Sequence, residues 1–283
     1  MKYQSKGSER EKAVTLTLYK VKGLRGLLRR AAELRLLDLK VAGKVSIGPC
    51  TPNANYPHAE ILDQHLELGY HLQGTCSPMC LVRRLYGSLD HAATVRIFPP
   101  YIAKATVDTL PAAVTEYVDQ NIEEICGFDH GIVYHNGETT LKTETCNIIN
   151  RATDLAVNNY MKHSASGTFP FKVIFRFTSG TETEFIESIG FFLASLNEIN
   201  DANGVQLGAD KNGGSGQVKI DVKEARVNQK FPEVEAFATT KHEKVRMVRF
   251  GDKEFRESKT EYVLDSEFGQ YALETFNAHM EQK

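Results

Sequence analysis

The sequence predicts an α+β fold, a βαββαβ core that carries inserted subdomains. Three observations lead there. "TFPFKVIFRF" (168–177) alternates Phe169, Phe171, Val173, Phe175 and Phe177 with other residues, the period of a strand. "TETEFIESIGFFLASLNEI" (181–199) follows it with helical apolar spacing. An earlier strand and helix, within 13–37, show the same order.

The elements are justified in turn. "AVTLTLY" (13–19) is β-branched enough for a strand. In "GLRGLLRRAAELRLL" (23–37), Leu24, Leu27, Leu28, Ala31 and Leu34 recur at helical spacing and should face a core, with Arg25, Arg29 and Arg30 off that stripe. "LKVAGKVSI" (39–47) and "HAATVRIF" (91–98) are read as the next two strands. Residues 105–145 read as irregular and mostly acidic, with a turn signal at "HNGE" (135–138). In the helix at 181–199, Thr181 to Glu184 fits a capping box, and Phe185, Ile189, Phe192 and Leu196 mark the buried stripe. "QVKIDVKEARV" (217–227) alternates Val218, Ile220 and Val222 with charged residues and closes the series. That order is the ferredoxin-like arrangement that RNA-recognition modules also use. The core is expected over 13–227, with insertions at 48–90 and 100–147 and a charged extension over 228–283, ending in a helix at "SEFGQYALETFNAHM".

Composition narrows the functional class. A chain of 283 residues with 41% hydrophobic content can bury a full core. No apolar run is long enough to cross a membrane, and the polar start "MKYQSKGSEREKAV" lacks a signal-peptide core, so a cytoplasmic location without membrane partners is expected. Five cysteines, an odd number, favour free or metal-bound thiols over a closed disulfide framework. The net charge of −2 conceals a segregation. Residues 1–104 hold 16 Lys and Arg against 8 Asp and Glu, whereas 105–227 hold 9 against 17. A basic first third suits an anion, and its opposition to an acidic middle suits head-to-tail self-association.

Two stretches suit phosphate. "QLGADKNGGSGQV" (206–218) places Gly208, Gly213, Gly214 and Gly216 around Lys211, so its backbone N–H groups can form an anion nest. No Gly-Lys-Ser/Thr follows and no helix opens there, which excludes a P-loop and a dinucleotide fingerprint. Arg25 and Arg29 lie one helical turn apart near a helix start and can grip neighbouring phosphates. Arg83, Arg84, Arg96 and Lys104 flank "LYGS" and are further candidates.

These stretches resemble the marks of the RAMP superfamily of CRISPR-associated proteins. A turn into a basic helix of the form G-x-(R/K)-G-x-(L/F)-R is matched by Gly23, Arg25, Gly26, Leu28 and Arg29. A loop of the form hGxxKxxGxGxV is matched by Leu207, Gly208, Lys211, Gly214, Gly216 and Val218. "INRATDLA" (149–156) and "SGTFPFKVIF" (166–175) are similar to the Cas-seven backbone subunits, and "GTCSPMCLVRRLYGS" (74–88) is similar to type I-D and type IV members. The resemblance implies a non-catalytic subunit, several copies of which line up along one CRISPR RNA. It implies contact with other effector subunits, target DNA or RNA reached through the guide, and a thumb at 100–147. The RNA-binding residues it suggests, with those above, are Lys22, Arg25, Arg29, Arg83, Arg84, Arg96, Arg151, Gly208, Lys211, Gly214 and Gly216.

Two departures bear on catalysis. The link between first strand and first helix is "KVK" (20–22), without the aspartate of RNA-cleaving type III members. The first histidine is His58, not one near the chain start as in processing nucleases of the superfamily. The rival readings are therefore a RAMP endoribonuclease or target-strand nuclease, and a free-standing RNA-recognition module. Finally, Cys76 and Cys80 (C-x₃-C) form half of a zinc site, to be completed by Cys50 and one of His58, His65 or His71; His58 is taken as the fourth ligand. Such a site would fold an insertion with little core of its own.

Overall fold

The computed structural model describes residues 2–3, 14–15, 17–51, 59–72, 79–88, 91–106, 112–120, 133–135, 140–150, 155–176, 180–201, 204–207, 216–228, 231–250 and 253–281. The chain divides into two compact units, Met1–Leu24 with Ile97–Ile174, and Arg25–Arg96 with Phe175–Lys283. The architecture is mixed α and β, with helices and small, mostly antiparallel sheets.

The first unit holds β1 (Lys2–Tyr3), β2 (Val14–Thr15) and β3 (Leu18–Lys20). β4 (Val95–Phe98) follows at its boundary, then β5 (Tyr101–Thr106), the helix α4 (Ala112–Gln120) and β6 (Val133–His135). The hairpin β7 (Thr140–Asn150) and β8 (Leu155–Ser166) leads into β9 (Lys172–Phe175). β5 pairs antiparallel with β3 and parallel with β6, and β4 pairs with β9. The stretch 105–145, read as irregular, thus contains α4 and β6, where Val114 and Val118 are buried four residues apart on one helical face. Of the "HNGE" turn, 136–138 lie outside the described residues.

The second unit is built on two long helices. α1 (Leu24–Val41) buries Leu24, Leu27, Leu28, Ala31, Ala32, Leu36 and Leu39, while Leu34 is only half-buried. The helix runs through the start of the segment read as a strand over 39–47. It ends where Gly43, at φ 71°, returns its N–H to the Lys40 carbonyl and the Lys44 N–H bonds the Leu39 carbonyl. That pair of bonds is a Schellman stop, which needs glycine at the left-handed position. No strand follows before the bridge at Cys50. The unit continues with α2 (Ala59–Glu67) and α3 (Leu81–Tyr86).

α5 (Glu182–Asn200) begins as expected. Thr181 Oγ accepts the Glu184 N–H at 3.2 Å and Glu184 accepts the Thr181 N–H at 3.0 Å. After it, 217–224 belong to no strand, and only β10 (Ala225–Val227) joins a sheet. The reason lies at Ile220, whose N–H and carbonyl are both taken by the Asn200 side-chain amide, at 2.8 and 3.0 Å. Val222, expected inside, is 57% exposed. The residues from 228 onward supply α6 (Pro232–Glu235), β11 (Ala238–Phe250), β12 (Lys253–Leu264) and α7 (Glu267–Glu281). β12 pairs with β10 and β11. α7 packs along α5 so closely that a Cβ on Gly190 would stand 2.1 Å from the Ala272 carbonyl oxygen. Phe191 and Phe276 close the same contact, ring centres 5.5 Å apart.

Candidate metal centre and arginine junction

α2 and the turn after it carry His71 to Cys50. The chain leaves α2 through Gly69, at φ 93°, with the Tyr70 N–H on the His65 carbonyl and Lys40 Nζ on the Gly69 carbonyl at 2.9 Å. His71 then forms a parallel bridge with Cys50. Its N–H bonds the Pro49 carbonyl at 3.1 Å, and its carbonyl accepts the Thr51 N–H at 2.9 Å. Cys80 arrives from the other side as the N-cap of α3, its sulfur accepting the Arg83 N–H at 3.4 Å.

The donors converge, Cys50 and Cys80 buried and His71 half-buried. Cys50 Sγ lies 2.9 Å from His71 Nε2 and 3.4 Å from Cys80 Sγ, and the three ligand atoms all fall within 4.8 Å of one another. Donors around tetrahedral zinc stand about 3.5–3.8 Å apart, so Cys50 and His71 would have to draw apart by roughly half an ångström to share the ion. Two thiols and an imidazole are also the donor types zinc prefers, so the residues fit that ion. The hydrogen bond from Cys50, with His71 and the Arg83 N–H adding, holds the Cys80 thiol well below the ordinary thiol range against the opposing effect of burial. Of the histidines left open by the sequence, His71 is the one in the cluster among the described residues. His65 instead stands edge-on to the Tyr70 ring at 5.0 Å. His58 and Cys76 lie outside the described residues.

Next to this centre, α1 and α3 meet through arginines. Gly23 takes φ 87° just before α1, which sets the helix start. Arg25 then donates to the Tyr86 carbonyl at 2.7 Å, and Arg29 to the Gly87 carbonyl at 3.3 Å. These oxygens belong to the C-terminal end of α3, where carbonyls lack helical partners and a cation is favoured. Arg29 also grips Glu33 at 2.9 Å, and Glu33 is buried. Arg30 stands 3.6 Å from the same carboxylate and also meets the Tyr70 hydroxyl, which donates to Glu33 at 3.3 Å. Burial first, then the Glu33 charge, pushes the Tyr70 phenol up to about 12. Burial also raises the Tyr86 phenol, whose oxygen has no hydrogen-bond partner among the described residues.

The remaining expected contacts divide. Arg83 is only 8% exposed and donates to Ser88 Oγ at 3.1 Å. Arg84 pairs with the buried Glu187 of α5 at 3.4 Å, and Glu187 also faces His279 of α7 at 3.8 Å. Lys22, Arg25 and Arg96 are exposed. Arg151, Gly208, Lys211 and Gly214 lie outside the described residues. Gly216 takes φ 90° and its carbonyl accepts the Leu207 N–H at 2.8 Å, closing the base of the glycine loop. A Cβ there would stand 1.9 Å from the Leu207 oxygen.

Neither protein-family models nor curated proteins match this chain. Sequence reasoning missed Glu33, Tyr70 and Glu187. Glu33 carries a signal, its place four residues after Arg29; Tyr70 and Glu187 have none that spacing could find.

Proposed function

We propose that the chain is a non-catalytic, RNA-binding backbone subunit of a CRISPR effector complex, with a ferredoxin-like core. Copies multimerise along the guide RNA and present it for pairing with target nucleic acid. One observation carries the reading. The basic helix motif around Arg25 and Arg29 and the "LYGS" element around Tyr86 and Gly87, far apart in sequence, are tied together by two hydrogen bonds. Motifs that resemble one family separately are thus one local assembly here, and Arg25 within it is exposed. In this reading base pairing chooses the sequence, while the protein holds backbone and shape.

Cys50, His71 and Cys80, with Cys76 as fourth ligand, hold zinc in this proposal. The ion would supply folding free energy to the 48–90 insertion rather than chemistry. The deciding experiment is purification without added RNA, followed by the absorbance ratio at nucleic-acid and protein wavelengths across a sizing column. Multimers carrying RNA of defined length support the reading. RNA-free monomers that cut repeat RNA overturn it in favour of the nuclease.

A further inference from the structure

β11 and β12 pair through their whole length, from Thr240 opposite Val263 to Phe250 opposite Lys253. Near the base of this hairpin the acids are engaged. Lys241 Nζ meets Glu243 at 2.6 Å, and Arg226 meets Glu261 at 3.6 Å. Beyond the base, residues 244–259 hold six cations, Lys244, Arg246, Arg249, Lys253, Arg256 and Lys259, against three acids, Asp252 between the strands and Glu254 and Glu257 on β12. The register sets Arg246 opposite Glu257 and Arg249 opposite Glu254.

It also sets Lys244 directly opposite Lys259. Like charges directly opposite destabilise a ribbon, and a two-stranded ribbon is marginal in water to begin with. An anion lying along it would remove that penalty. Directly opposed residues share one face. The pairs Lys244 and Lys259, Arg246 and Glu257, Val248 and Phe255, and Phe250 and Lys253 therefore succeed one another on a single face. At about 3.4 Å per residue that face runs about 20 Å. It interleaves cations with two phenylalanines. Single-stranded nucleic acid uses both, its phosphates with the cations and its bases with the aromatic rings. The other long hairpin is more sparsely charged: β7 and β8 carry only Lys142 and Lys162 against Glu144.

We propose that this face of the β11–β12 hairpin binds single-stranded nucleic acid. The proposal rests on the RNA-binding reading above and adds to it a contact surface far along the chain from the arginine motif. The test uses the full-length protein, stripped of nucleic acid by high salt and titrated with labelled oligouridine and with heparin. Lys244→Gln with Lys259→Gln should bind oligouridine roughly tenfold more weakly, with a log–log salt slope shallower by about 1.4. Without RNA the same variant should melt at a higher temperature than wild type, since the like-charge pair is gone. Phe255→Ala should weaken oligouridine binding and leave heparin binding unchanged. Unchanged affinity and slope in both variants would overturn the proposal. So would intact RNA affinity with lost self-association, which would put an acidic segment of a second copy on the hairpin. Wild-type protein that binds no oligonucleotide would overturn the RNA-binding reading itself, and this proposal with it.

Discussion

Arg25 donates a 2.7 Å hydrogen bond to the carbonyl oxygen of Tyr86, across 61 residues of chain. Arg29 makes the companion bond to Gly87 but differs in one respect, because it also neutralises the buried Glu33. Equal spacing on α1 thus conceals unequal roles. Arg25→Ala should cost about 1 kcal/mol, one hydrogen bond at an exposed residue. Arg29→Ala should cost about 3 kcal/mol, because among the described residues it leaves the buried carboxylate with Arg30 as its remaining cation. Urea denaturation of the two single variants checks this. Equal midpoints would refute it, and Glu33→Gln added to Arg29→Ala should restore part of the loss.

Zinc should be present at close to one ion per chain in protein purified without chelator. His71→Ala and Cys80→Ser should each remove it and lower the melting temperature, whereas His65→Ala should retain it. Elemental analysis of the three variants decides. Metal kept by His71→Ala would remove His71 from the ligand set.

Gly216→Ala should destabilise the chain by about 1–3 kcal/mol, the range for residues forced into sparsely populated backbone. Both the positive φ and the approach to the Leu207 oxygen oppose a side chain. Lys211→Gln should leave stability unchanged and lower RNA affinity. Thermal melting and oligouridine titration of both variants separate the loop's closure from its charge. An RNA-loaded Lys211→Gln multimer with wild-type affinity would leave the loop a connector.

Gly190→Ala should cost about 3 kcal/mol, the upper range for an overpacked core. Its methyl would meet backbone at the α5–α7 crossing, where no side chain can swing aside. Gly269→Ala, whose Cβ would meet only a Leu193 methyl at 3.8 Å, should be near neutral or stabilising. Equal midpoints for the two variants in urea would mean that the helices separate without cost.

The local rules determined α5 almost to the residue. A capping box and an apolar stripe act within a few turns of one helix, so Thr181, Glu184, Phe185 and Phe192 could be read before any fold was known. The leucine stripe of α1 was legible for the same reason, and so was the last helix. What tertiary structure decided lay between distant segments. "LKVAGKVSI" has strand-like residues, yet Leu39 extends the buried stripe of α1 and Gly43 stops the helix, so packing overrode local preference. Alternation in "QVKIDV" likewise yielded to Asn200, whose amide occupies the backbone groups of Ile220 that a neighbouring strand would have used. The hairpin of β11 and β12 was missed because its polar strands lack the alternation of a half-buried pair; only "FGDK", with two residues between paired ends, marked its turn. Of the two described histidines in the cysteine-bearing insertion, His65 and His71, it was His71 that met the thiols, because the bridge to Cys50 placed it there. Spacing along the chain carries the donor types, but which donors meet depends on backbone hydrogen bonds that close the loops between them.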